Sequence, residues 1–247
     1  MSKPFYKKLN DGKFSLFPGV TYISFLNTHS KALLSKVYSK LQTSPLITDY
    51  YALLPVESYH MTAIPICNAM NTPTPDFHEY ILNELAYFQK FHQHTEYPEQ
   101  EIKIIVSNSR CNHVIQLIVD IPEALKKIIN DVAEKTNLID EVPKHFHITL
   151  GYQKKYGNHY APQLIENIVE HYIEEALSES EDRSLIIVPP QLCYYKSMEQ
   201  FTPWDCSSSP FEQLENTTTS HNRDDIFFQS RQQSTSSIDI PKKLQNA

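Results

Sequence analysis

Glycine is scarce in this 247-residue chain, occurring only as Gly12, Gly19, Gly151 and Gly157. No G-x-G-x-x-G turn and no Walker-type loop can be assembled from them, which excludes dinucleotide-dependent oxidoreductases and P-loop enzymes. Any phosphate chemistry must therefore use side-chain donors. Cysteine is equally sparse: Cys67, Cys111, Cys193 and Cys206 lie far apart and form no C-x-x-C. That pattern suits reduced thiols in a cytoplasmic protein and gives a zinc knuckle no support. Apolar runs such as residues 185–188 are far too short to span a bilayer, and the opening MSKPFYKKLNDGKF has no apolar signal core. A soluble cytoplasmic chain without a membrane partner is expected. The formal net charge of −7 includes no long block of one sign, so a basic groove for duplex DNA or long RNA is not expected either. A small anion remains compatible, since a few local donors can hold one phosphate.

What is present is ordinary globular material: 40% apolar residues, 15 Tyr and 12 Phe, in a chain long enough for one large domain or two small lobes. Residues 20–26 read as a strand entered through Pro18-Gly19. Residues 30–42 read as a helix, with Leu33, Leu34, Val37, Tyr38 and Leu41 at helical spacing. An extended segment over 59–66 is expected to end at Pro65. Thr74-Pro75-Asp76 has the form of a helix start, and that helix should run to about Phe91 with Phe77, Tyr80, Ile81, Leu85 and Phe88 on one face. The pattern then returns. Residues 102–106 and 113–120 form a predicted hairpin joined by the polar stretch 107–112. Pro122 opens a helix with Leu125, Ile128, Ile129 and Val132 inward, and 146–152 is again extended. A helix over 162–177 should bury Leu164, Ile168, Tyr172 and Ile173, before short strands at 185–188 and 191–195.

Both halves thus run strand, helix, strand, helix: Val20, Leu33, His60, Phe77 in the first, and Val114, Leu125, His147, Leu164 in the second. This is a repeat of order rather than of letters. It predicts a two-lobed α/β protein in which each lobe lends one equivalent strand to a shared cleft. Beyond Cys206 the composition turns to Ser, Thr, Gln and Asn, so a domain over 1–206 and a disordered tail over 207–247 are expected.

The two equivalent strands carry His60-Met61-Thr62 and His147-Ile148-Thr149. Alternation on a strand puts each His and Thr on one face and Met61 or Ile148 on the other. Two imidazoles that titrate near neutrality can serve as base and acid, and two hydroxyls can hold the non-bridging oxygens of a phosphate between them. The bland alternative is a pair of buried, satisfied histidines beside threonines selected for strand propensity. One motif alone would not exceed that reading; two in equivalent positions do. His145 complicates the second motif, because His145-x-His147 is also a metal-ligand spacing, though no partner cluster supplies further ligands. Tyr152 is a candidate for lining the cleft, with core packing as its alternative. For Tyr22 and Trp204 packing is favoured over substrate contact, and Gly151 is expected to give the strand a tight exit. His92, His94, His159 and His171 fall in polar or helical contexts and read as surface residues.

These residues resemble the 2H phosphoesterases, named for two H-x-[ST] motifs. Phe17-Pro18-Gly19-Val20-Thr21, Leu53-Leu54-Pro55, and Pro189-Pro190-Gln191-Leu192-Cys193 with Met198, Phe201 and Pro203 resemble one branch, the DUF1868 group, over roughly residues 12–206. The branch is close in outline to cyclic phosphodiesterases and LigT-type RNA 2′,3′-cyclic phosphodiesterases. The resemblance implies an α+β, bilobal fold with a V-shaped pair of antiparallel sheets flanking a cleft and helices outside. It implies His60 and His147 as the acid–base pair, Thr62 and Thr149 as phosphate ligands, and neither metal nor cofactor. The expected activity is hydrolysis of a cyclic or 2′-linked phosphodiester of a nucleotide or RNA end. Two rivals stay open at this point: a non-catalytic nucleotide or RNA-end binding module, and a metal-dependent hydrolase using His145 and His147.

Overall fold

The computed structural model describes residues 13–72, 77–92, 101–154 and 163–211. Packing divides the chain into Met1–Pro210 and Phe211–Ala247, and of the second unit only Phe211 is described. The disordered tail expected over 207–247 therefore falls almost wholly outside the described residues, as do the helix-start triplet Thr74-Pro75-Asp76, His94 and His159.

Among the described residues nine strands make the scaffold: β1 (Gly19–Phe25), β2 (Tyr51–Leu53), β3 (His60–Asn68), β4 (Ile102–Cys111), β5 (Val114–Asp120), β6 (Phe146–Gln153), β7 (Ser184–Ile187), β8 (Gln191–Ser197) and β9 (Gln200–Pro203). Every pairing is antiparallel, which makes the class α+β. The order is β7-β4-β5-β6-β3-β1-β8-β9, with β2 on β6. Where two separate sheets were expected, there is one continuous sheet. The reason is that the two motif strands pair with each other, Met61 opposite Ile148. The sheet also curls. Leu26, just past β1, bridges Ile187 in β7, and flanking bonds run from Val188 N to Phe25 O (2.9 Å) and from Asn27 N to Ile186 O (3.0 Å).

Among the described residues six α-helices accompany the strands: α1 (Thr28–Thr43), α2 (Pro45–Tyr50), α3 (Phe77–Asn83), α4 (Leu85–Gln89), α5 (Glu123–Lys135) and α6 (Gln163–Leu177). α1 begins where the Asn27 side chain accepts from Ser30 N at 2.9 Å, satisfying an end donor that has no helical partner. Of the residues predicted at helical spacing, Leu33, Leu34, Val37 and Leu41 are buried, while Tyr38 is half-buried. Lys36 and Lys40 reach from α1 to Glu179 and Glu175, exposed pairs that contribute little to stability. Among the described residues no helix is long and apolar enough to cross a membrane.

Several elements depart from the sequence expectations. β3 does not stop at Pro65. It runs on to Asn68, because the β1 register skips Ala63 and Ile66, and a residue lacking an N–H is tolerated at such irregularities. The polar stretch 107–112 is not a loop: β4 continues through Cys111, and Ser107 is the residue skipped between Val106 and Asn108. In α6 the buried face is Ile165, Val169, Ile173, Ala176 and Leu177: Ile173 is inward as expected, Ile165 and Val169 take the places expected of Leu164 and Ile168, and Leu164 is 59% exposed. The expected helix up to Phe91 breaks at Glu84 into α3 and α4. Gly151 is no strand exit. It pairs with Leu53 of β2, and a Cβ there would lie 3.0 Å from Ala52 O, so its small size admits β2.

Candidate active site

The site is built at the β3–β6 seam. Met61 and Ile148 are fully enclosed, so on each strand the residues before and after point to the opposite face. The antiparallel register then sets His60 beside Thr149 and Thr62 beside His147, with cross-strand neighbours roughly 5 Å apart. All four side chains are half-buried. Each strand is bulged one residue after its threonine. The β1 register passes from Thr62 to Ile64 and omits Ala63, and the β5 register passes from Thr149 to Gly151 and omits Leu150. Such a bulge re-aims the residues that follow it.

The two imidazoles make the same kind of backbone contact. His60 Nδ1 lies 2.6 Å from Ser58 O, and His147 Nδ1 lies 3.3 Å from His145 O. A carbonyl only accepts, so in both rings Nδ1 carries the proton and donates it. That fixes the tautomer of the neutral ring, with the acceptor lone pair on Nε2.

The other candidates separate. The Tyr152 hydroxyl is hydrogen-bonded to Thr149, and burial raises its pKa, so it stays a protonated phenol. The ring is 6% exposed and meets Phe14 edge-on at 6.1 Å. Tyr152 is thus buried beside Thr149, with little of it open to solvent. Tyr22 has no exposure and packs on Phe91 at 5.7 Å, so it takes the favoured packing role and the substrate-contact alternative for it falls. Trp204 packs on Phe88 at 5.2 Å and donates from Nε1 to Ser208 O at 2.9 Å. His145 is exposed just ahead of β6, and its backbone, through the bond to His147, is the part tied to the site. Among the described residues no group of three or more His, Cys, Asp or Glu is placed to hold a metal ion. Burial pushes the Cys67 and Cys193 thiols up to about 12, so neither is poised as a thiolate nucleophile.

Two residues at the site escaped sequence reasoning as functional candidates. The Phe201 ring lies 4.1 Å from the His60 ring, and Tyr195 lies 5.0 Å from Phe201. Tyr195 is opposite Gly19 in the ladder, where a Cβ would come within 2.3 Å of its Oη. A glycine inside a strand signals such a close approach, and Gly19 was the clue available. Two hollows lie elsewhere. One of about 600 Å³ is bordered by His92, Gln191, Tyr194 and Asp205, and one of about 290 Å³ by Arg110, Cys111 and Glu166. Neither is lined by a motif histidine or threonine.

Adjoining the motif, the Tyr59 hydroxyl is buried without a hydrogen-bond partner among the described residues. A buried hydroxyl that gave up water for nothing costs free energy. Tyr59→Phe is therefore expected to stabilise the fold by about 1 kcal/mol, seen as a raised urea midpoint at unchanged slope. A lowered midpoint would mean that the hydroxyl is paired in solution.

Comparison with known proteins agrees with the family resemblance. Residues 7–115 match the 2H-phosphodiest family model, described as "Domain of unknown function (DUF1868)". That span includes His60 and Thr62 and ends before His147. No curated protein matches the chain. Among solved structures, a conserved protein of unknown function from Agrobacterium tumefaciens str. C58 has the same fold, with TM-score 0.62 and 16% identity, covering 81% of this chain and 90% of that one. Escherichia coli LigT, in its apo form and complexed with phosphate, superposes more loosely, with TM-score 0.44 and 10% identity over 77% of this chain and 96% of that one.

Proposed function

Taking the 2H-phosphodiest match over residues 7–115 as premise, we propose that this chain is a metal-independent phosphodiesterase that opens a cyclic or 2′-linked phosphodiester of a nucleotide or RNA end. The observation that carries the reading is the seam: two His-Thr pairs set antiparallel on adjacent strands, with both Nδ1 atoms committed to backbone carbonyls. The matching bulges after Thr62 and Thr149 support two duplicated lobes meeting at the site.

In the reaction, water attacks phosphorus as one histidine Nε2 takes its proton. The P–O bond to the ribose oxygen breaks in line, and the other histidine gives that oxygen the proton from its own Nε2. A second proton transfer between solvent and the pair restores both rings. Thr62 and Thr149 donate to the non-bridging oxygens, where charge builds in the transition state. Tyr152, hydrogen-bonded to Thr149, helps to hold that hydroxyl.

The test is incubation with 2′,3′-cyclic nucleotides and cyclic-phosphate RNA ends in the presence of EDTA. Accumulation of a single phosphomonoester, with a bell-shaped pH–rate profile, is the expected outcome. Intact substrates would turn the reading to a binding module. Activity abolished by EDTA and restored by a divalent metal would turn it to a metal-dependent hydrolase.

A further inference from the structure

A single hydrogen bond does not immobilise an imidazole, because the ring can still swing about its side-chain torsions while keeping Nδ1 near an acceptor. For His60 the bond to Ser58 O is joined by a wall. The Phe201 ring stands 4.1 Å away at 55°, closer than most paired rings in proteins. Phe201 is itself only 9% exposed and is backed by Tyr195 at 5.0 Å. Tyr195 is held in turn across Gly19, where a side chain would collide with its Oη. The chain of contacts runs from β1 through β8 and β9 back to the catalytic strand, and each link is a ring or the gap a ring needs. His147 is held differently. Its bond to His145 O is 3.3 Å, and no aromatic ring lies against it among the described residues.

From this we infer that Phe201 is a positioning residue for His60, fixing the imidazole plane so that Nε2 is presented to phosphorus before substrate arrives. The inference rests on the proposed reaction for its kinetic consequence but not for its geometry. It predicts that the β8–β9 hairpin serves one histidine of the pair and leaves the other alone.

The experiment compares Phe201→Ala, Phe201→Leu and Phe201→Tyr in the full chain, by steady-state kinetics on a 2′,3′-cyclic nucleotide and by NMR of the histidine ring nitrogens. Loss of the wall should lower kcat by about 10- to 100-fold with little change in KM, as misplacement of a reacting group does. Phe201→Tyr, which keeps the ring, should restore most of the loss. Phe201→Leu, which keeps most of the buried volume, should not. The His60 Nδ1–H resonance, protected by its 2.6 Å bond, should broaden in the Ala and Leu variants while the His147 signals stay in place. Unchanged kcat and an unchanged His60 resonance in Phe201→Leu would overturn the inference. So would equal shifts at both histidines, the signature of general loosening. If the wild-type chain turns over no substrate, the proposed function fails, and the His60 resonance still decides whether Phe201 positions the ring.

Discussion

His147→Ala is expected to lower turnover of a 2′,3′-cyclic nucleotide by about 100-fold or more while leaving the melting temperature almost unchanged. The two halves of that expectation have separate causes. Without Nε2 at one end of the in-line path, either the attacking water keeps its proton or the departing oxygen lacks one. The fold should not notice, because the ring is half-buried and its bond to His145 O is long. His60→Ala should be equally inactive but less benign, since it also empties the space against Phe201. Residues acting as a unit are not additive, so the double variant should be scarcely slower than either single one. A correctly folded His147→Ala protein working at full rate would end the two-histidine mechanism.

The second large effect is on stability. Met61→Ala and Ile148→Ala each remove a fully enclosed side chain at the seam that holds the motif strands together, and each is expected to cost about 2–5 kcal/mol. In a domain of this size that corresponds to roughly 2–4 °C of melting temperature per kcal/mol. The two residues face each other, so one cavity is shared and the double variant should lose less than the sum. Activity should fall further than the folded fraction does, because the same pair sets the spacing of His60 from Thr149. Additive losses with full activity in the folded fraction would show that the seam is held by other contacts.

Much of the scaffold was legible because it depends on local rules. The alternation His60-Met61-Thr62 and the helical spacing of Leu33, Leu34, Val37 and Leu41 are properties of short segments, and the structure buries the residues they single out. The misses have the opposite character. Pro65 was read as a stop because an isolated chain obeys the loss of its N–H, whereas register skips at Ala63 and Ile66 let the strand continue. Residues 107–112 were read as a loop from polarity alone, yet strand pairing with β5 extends β4 to Cys111.

By itself the sequence determined that no G-x-G-x-x-G turn or Walker-type loop can be assembled, and which imidazoles and hydroxyls share a face. Those follow from composition and from a period of two residues. Only the tertiary structure decided that the two motif strands are immediate neighbours in one curled sheet, with Met61 opposite Ile148. Only it decided that Phe201 comes to rest on His60. Pairings between segments distant in sequence are set by how buried faces fit together, and no local period encodes that fit.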